Sequence, residues 1–332
     1  MNNKRTQLFI DWFAWSLRFQ DCDPAVWLTN YLHARFEHNS EQRFWFAWLY
    51  GNTYQLPTAW VLLNEFPDYE LATVDRLNWW QSDNRKANYN RLRYQVDRNK
   101  SAKGKLPKMF ASYQQLVGDN QGEFFAGKDF DQLWLELDKL YQFARYSKWF
   151  YLQHLKHTCG LNIEPSSLML NDFTGTRSTR NGLLLALDSD VLSLDKRLPA
   201  AQYAGLESAA RDILAETKRQ YPTVAAQADL FTMETCLCSF KKLFRRKDGR
   251  YLGYYLDRQG EEITRAAADG WTGIDWNVLW QARNECLDKR LAASRKTDKK
   301  LYSHYLDNGV LYRGEWLNDK PEQPLGLDAF FS

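Results

Sequence analysis

No window of the 332-residue sequence approaches 18 uninterrupted apolar residues, which excludes an ordinary membrane-spanning helix and leaves no expected membrane partner. A P-loop, a dinucleotide glycine fingerprint and a Gly-x-Ser-x-Gly elbow are all missing, so NTPase, Rossmann dehydrogenase and α/β-hydrolase readings lack support. Internal repeats and low-complexity linkers are absent as well. Neither charge sign dominates: 44 Lys and Arg stand against 41 Asp and Glu, and a net charge of +3 argues neither for nor against a polyanionic partner. The five cysteines are few and odd in number. Residues 1–20 read as an amphipathic helix with Asp11 and Arg18, not as a secretory leader, so a reduced, cytoplasmic compartment is expected. His154-x-x-His157-x-Cys159 has ligand types at tolerable spacing, but no second cluster offers a clear fourth ligand, and no metal site is expected.

What remains is dominated by helical periodicity. Leu8, Trp12, Trp15, Leu17 and Phe19 open a first helix, and Pro24 starts a second with Val26, Trp27, Leu28, Tyr31, Leu32 and Phe36 inward. Ser40 caps a third, which stops near Gly51, and Pro57 begins a fourth that ends at Pro67. Residues 129–157 predict the longest helix, and further helices fit 179–188, 203–220, 229–246 and 275–295. Strand signals are thin: the segments 249–257 and 308–316 are short and turn-bounded, each a hairpin arm or an irregular loop. The expected fold is all-α, mostly helical, with one or two short β-hairpins. A chain of this length suits one large domain or two modest ones, burying roughly three-quarters of its unfolded surface. The glycine-rich stretch 118–128 is the weakest joint, which suggests an N-terminal helical lobe over 1–117 and a C-terminal lobe over 128–332, or one continuous domain.

Basic residues are concentrated. Between Arg85 and Lys108 lie nine Lys or Arg, among them Arg91, Arg93, Lys103 and Lys105, against the single acid Asp97. Residues 241–250 carry six against Asp248. Fourteen tryptophans and eighteen tyrosines are many for this length; structural aromatics explain such counts, yet aromatics beside basic runs also serve flipped-base or single-strand binding.

Four segments carry candidate chemistry. Gly175-Thr-Arg-Ser-Thr-Arg-Asn-Gly precedes an apolar run and suits an anion site at a helix start: Thr176 and Ser178 offer hydroxyls, and Arg177 and Arg180, three apart, can clamp a phosphate from one side. The alternative is a solvated helix start with Ser178 or Thr179 as N-cap. In the turn Asn52-Thr-Tyr-Gln, Tyr54 and Gln55 could stack on and hydrogen-bond a base, or belong to an ordinary helical hairpin with an aromatic core. Glu234, Cys238 and Lys241 or Lys242 share one helical face, either an acid, a thiol and an amine converging or a Glu–Lys surface pair beside a buried cysteine. In Gly253-Tyr-Tyr-Leu-Asp-Arg, Asp257 serves as base, amine anchor or partner of Arg258, which spacing does not separate.

Several segments, in order over residues 40–285, together resemble a phage protein family. They are Trp48-Leu-Tyr-Gly-Asn-Thr-Tyr with Pro57-Thr-Ala-Trp and Asn64-Glu-Phe-Pro-Asp, Gly175-Thr-Arg-Ser-x-Arg-Asn-Gly-Leu, Glu234-Thr-x-Leu-Cys-x-Phe-Lys, and Gly249-Arg-Tyr-x-Gly-Tyr-Tyr-x-Asp-Arg with Asp275-Trp. The family is the amino acid:DNA transferases, also called α-glutamyl/putrescinyl thymine pyrophosphorylases. The resemblance implies thymine hypermodification of double-stranded phage DNA in the cytoplasm of an infected host. Pyrophosphate would be displaced from 5-(pyrophosphoryloxymethyl)uracil by an amino acid or polyamine. It implies no required cofactor, with a divalent cation beside the pyrophosphate compatible, and a fold related to helix-hairpin-helix DNA glycosylases. The Leu-Pro-Gly-Val-Gly hairpin of those glycosylases is absent here. On this reading Thr176, Arg177, Ser178 and Arg180 hold the leaving pyrophosphate with Lys241 in reserve, and Glu234 or Asp257 accepts the amine's proton. Tyr54, Trp60 or Tyr255 stacks on the extruded base, Cys238 could add to the uracil ring, and the basic arm 85–108 follows the DNA backbone. Two other functions fit the same features: a base-flipping glycosylase-like enzyme without transfer, and a non-catalytic helical DNA-binding protein.

Overall fold

A computed structural model describes residues 4–83, 106–188, 197–243 and 253–287, and among them every regular element is a helix. The chain is all-α. No described helix is long and apolar enough to cross a membrane. In chain order the α-helices are α1 (Lys4–Arg18), α2 (Pro24–Arg35), α3 (Ser40–Thr53), α4 (Leu56–Glu65), α5 (Val74–Asp83), α6 (Leu106–Val117) and α7 (Gln121–Phe125). They continue with α8 (Phe130–Glu136), α9 (Arg145–His157), α10 (Phe173–Ala186), α11 (Ala200–Gln220), α12 (Leu230–Leu243), α13 (Tyr254–Ala268) and α14 (Asn277–Cys286). The chain divides into two compact units, the first drawn from Met1–Pro24, Ser167–Arg258 and Leu287–Ser332, the second from Ala25–Ser166 and Gln259–Cys286. The glycine-rich stretch 118–128 therefore lies inside the second unit, where Asn120 caps α7. The basic residues Arg91, Arg93, Lys103 and Lys105, and the 308–316 segment, lie outside the described residues.

In the first unit, α1 packs its apolar face on α10, α11 and α12. Phe9 and Trp12 meet Phe240 edge-on at 5.2 and 5.9 Å between centroids, arrangements aromatic quadrupoles favour. Several polar groups bridge these helices: Trp12 Nε1 donates to Ser239 Oγ (3.2 Å), Thr6 Oγ1 to Ala186 O (3.0 Å), and the Tyr221 hydroxyl to Asp11 (2.6 Å). The tightest approach is between α10 and α12 at Gly182. A Cβ built there lies 2.1 Å from the carbonyl oxygen of Leu237, so only glycine lets the two backbones meet.

In the second unit α3 is central. Asn39 caps it, one residue earlier than the sequence suggests, in a reciprocal box with Gln42. Glu41, at the first turn of α3, accepts the amides of Gln121 (3.0 Å) and Gly122 (2.8 Å) and so satisfies the start of α7. Gly51 brings α3 against α9, where a Cβ would sit 2.9 Å from Cβ of Tyr151. Phe36, expected inward, is 43% exposed because the chain leaves α2 just before it.

Two expectations are corrected. Residues 129–157 do not form one helix: α8 ends, a 3-10 turn spans Leu137–Lys139, and α9 starts at Arg145 after Gln142 takes a positive φ of 59°. No glycine or proline announces this break. Folding α8 back brings Phe130 and Trp134 edge-on to Trp149 and sets Lys148 over Trp134, paired with Asp138 at 2.5 Å. The expected hairpin over 249–257 is likewise absent where it is described: Tyr254 to Asp257 form the first turn of α13.

His33 and His154 are buried in the second unit, His154 stacked on Tyr50 at 4.0 Å, and burial pushes both imidazoles down to about 3. A group whose folded pKa is depressed from 6.5 stabilises the fold above that pH and loses its contribution as pH falls toward 3. Urea-unfolding stability followed from pH 7 to 5.5 is therefore expected to decline less steeply in His154→Phe than in wild type, by up to about 1.4 kcal/mol per pH unit. Equal slopes in the two proteins count against a neutral His154. In the first unit, Gly182→Ala is expected to cost about 1–3 kcal/mol or more by overpacking. Gly205→Ala, in open space on α11, should be neutral or stabilising by up to about 1 kcal/mol in the same measurement.

Candidate functional site

The segment 175–182 does not open its helix. Asp172 is the N-cap of α10 and its carboxylate accepts the amide of Gly175 (3.0 Å), so a negative charge already sits at the positive end of the dipole. Ser178 and Thr179 are mid-helix residues, not caps, and any anion held here is held by side chains. Thr176 donates its hydroxyl to the carbonyls of Asp172 and Leu170, which commits its one proton to backbone. The two guanidiniums do not form a clamp either. Arg177 is exposed, whereas Arg180 is fully buried, with Nη2 3.3 Å from Asn181 Oδ1 and Nη1 3.5 Å from the Tyr203 hydroxyl.

What the structure does bring together is the α10–α12 face. Since Gly182 fixes the crossing, Thr179 one turn earlier falls opposite Glu234 and Cys238. The Thr179 hydroxyl donates to Glu234 Oε1 at 2.7 Å and lies 3.4 Å from Cys238 Sγ, which is itself 3.8 Å from the same carboxylate oxygen. Further along, Lys241 Nζ donates to Ser178 Oγ at 3.0 Å. A carboxylate, a thiol, a hydroxyl and an ammonium therefore line adjoining turns of two helices. The i, i+4 spacing of Glu234 and Cys238 was visible in the sequence; their meeting with Thr179 was not. Cys236, two residues from Cys238, instead neighbours Cys22, whose thiol is pushed up by burial first and by Cys236 second.

Asp257 and Tyr255, both buried, sit in the first turn of α13. The residue that positions them, Asp21, was missed. Its carboxylate accepts the amides of Gly253 (2.9 Å), Tyr255 (2.8 Å) and Leu256 (3.0 Å), capping a helix 232 residues away. Burial outweighs those three amides and, with help from nearby Asp257, pushes Asp21 up to about 7. Nothing in the local run Asp21-Cys22-Asp23-Pro24 signals this distant role.

The remaining base-binding candidates belong to the second unit. Tyr54 is the C-cap of α3 in the left-handed region (φ 51°), its ring 4.1 Å from that of Phe150. Five other described non-glycine residues, Gln20, Glu37, Gln142, Met169 and Asp188, share a positive φ, so this conformation does not by itself set Tyr54 apart. Trp60 is buried on α4, with the half-exposed ring of Phe36 5.4 Å from its own. Among the described residues no three His, Cys, Asp or Glu side chains converge as a metal site would require, His154, His157 and Cys159 included.

If Asp21 organises the start of α13, Asp21→Ala should lower unfolding free energy by about 1–3 kcal/mol, the cost of leaving buried amides unpaired. A denaturation midpoint equal to wild type would show that those amides find other partners.

Compared with known proteins, residues 10–248 match a family described as amino acid:DNA transferase. A protein named Serinyltransferase, from Salmonella phage ViI, is 24% identical over 275 residues, a match covering 77% of this chain and 66% of that protein, just under two thirds of its length. No solved structure matches.

Proposed function

Because the chain belongs to the amino acid:DNA transferase family, we propose that it joins an amino acid to a base of double-stranded phage DNA. The displaced group is pyrophosphate, leaving from 5-(pyrophosphoryloxymethyl)uracil. The observation that carries this reading is the α10–α12 face, where Ser178 with Lys241 adjoins Thr179 with Glu234, all within the matched region. The Serinyltransferase relative favours an amino acid over a polyamine as nucleophile.

The step balances simply. The neutral amine attacks the 5-methylene carbon, the C–O bond to pyrophosphate breaks, the electron pair leaves on the phosphate oxygen, and a carboxylate takes the ammonium proton. Glu234 is the better candidate for that carboxylate, since Asp257 lies beyond the matched residues. Lys241 and Ser178 meet the charge that develops on the leaving oxygens, where preorganised donors act most strongly in a site with little water. Exposed Arg177, next to Ser178, adds a second positive charge for the diphosphate. Buried Arg180 braces α10 through Tyr203 and Asn181 instead of gripping the leaving group. The target base has to leave the duplex to react. The basic residues of 85–108 supply a sequence-independent, salt-sensitive hold on the DNA backbone.

The decisive assay supplies DNA carrying the pyrophosphorylated base together with mixed amino acids and polyamines, then reads digested nucleosides by mass spectrometry for an adduct with pyrophosphate release. Wild type should give one. Lys241→Ala and Glu234→Gln should each slow transfer by roughly 10²–10³-fold while binding unmodified DNA as wild type does. Absence of any adduct from well-folded wild type would remove the proposal.

A further inference from the structure

Within the first unit, a cavity of about 500 Å³ opens between the 167–171 segment, residues 197–198 and the first two turns of α11. It is amphoteric. Arg197, just ahead of α11, and Glu207, two turns into it, both line the cavity, and Met169, Leu198 and Ala204 add apolar surface. Tyr203 connects it to α10: its hydroxyl accepts the Leu198 amide (3.2 Å) and lies 3.5 Å from Arg180 Nη1, one residue from the Thr179 that holds Glu234. Glu207 is fixed in place because its two oxygens accept the amides of Leu168 (2.9 Å) and Leu170 (3.0 Å). Each oxygen keeps a second lone pair for a ligand. At the start of α11, a helix of 21 residues, Pro199 gives no side-chain cap; its carbonyl accepts the Gln202 amide (2.9 Å), and Ala200, ahead of it in the helix, lines the cavity.

We propose that this cavity is the seat of the amino acid co-substrate, taken as a zwitterion, with its carboxylate on Arg197 and the opening amides of α11 and its ammonium on Glu207. The assignment rests on the reading of the chain as an amino acid transferase. The dimensions agree. Glu207 follows Ala200 by seven residues, so its Cα stands roughly 10 Å further along the axis, and its side chain leans back toward the N-terminus. Two hydrogen bonds of roughly 2.8 Å each, joined by the roughly 3 Å between the carboxylate oxygen and nitrogen of an α-amino acid, span nearly that distance. A diamine offers no anion to the Arg197 end and brings a second cation instead. The apolar walls admit a small or medium side chain, and Tyr203 then relays occupancy of the cavity to α10.

The test uses the full chain, with and without unmodified duplex DNA. Calorimetric titration with L-serine, glycine and L-glutamate should show saturable binding of at least one, and none of putrescine, serine amide or N-acetylserine, each of which lacks one of the two charges. Ala204→Trp, at an exposed position, fills the cavity without touching its polar frame, and Arg197→Ala removes the anion end. Both should raise KM for the amino acid at least tenfold with kcat and DNA affinity unchanged, circular dichroism confirming the fold. Wild-type KM in both variants, putrescine binding that Ala204→Trp abolishes, or no amino acid binding by wild type would overturn the assignment. The two proposals fail separately. Transfer with unaltered KM in the variants sinks the cavity alone. Amino acid binding that the variants abolish, without transfer to any DNA, sinks the transfer reaction alone.

Discussion

At Gly182 the backbones of α10 and α12 touch, and the candidate chemistry depends on that contact. A helix pair separated by ordinary side chains runs 8–10 Å axis to axis. With no Cβ at Gly182, the Leu237 carbonyl approaches to a distance that no other residue allows. Short side chains one turn away then reach across, which is why a threonine hydroxyl meets a glutamate and a cysteine, and a serine meets a lysine. Widening the crossing would strain the Thr179–Glu234 bond first, because threonine has no length to spare, whereas the long Lys241 side chain can follow Ser178.

The same economy governs the groups around it. Polar side chains in the first unit are used first to hold helices. Asp172 closes α10, Thr176 bonds its own backbone, Asp21 gathers three amides of α13, and Glu207 fastens residues 168 and 170. Lys241 with Ser178 and Glu234 with Thr179 are likewise bonded across the α10–α12 contact. The family match covers this whole face, and it ends before Asp257.

The second unit illustrates a different constraint. Its aromatics are largely structural: Trp45 donates to the Phe66 carbonyl, Trp48 leans on Tyr113, and Trp149 receives both rings of α8. The helical hairpin of α3 and α4 is therefore a core element, and Trp60 belongs to it. Tyr54, whose backbone is held in the left-handed region, packs against Phe150.

Helical class, the starts of α2 and α4 at their prolines, and the i, i+4 alignment of Glu234 with Cys238 were all legible in the residues, because each is set by local backbone sterics and a 3.6-residue period. The order of motifs was enough to identify the family. Sequence could not tell that Asp172 would cap α10 ahead of Ser178, that Arg177 and Arg180 would face different surroundings, or that residues 129–157 would fold back on themselves. Each of those outcomes turns on which distant surface a side chain meets. Caps compete over a few residues at nearly equal energy, and burial of an arginine or a break in a periodic helix is decided by packing partners far along the chain. Asp21 is the clearest case: local sequence gives it no role, and tertiary structure commits it to amides at the start of α13.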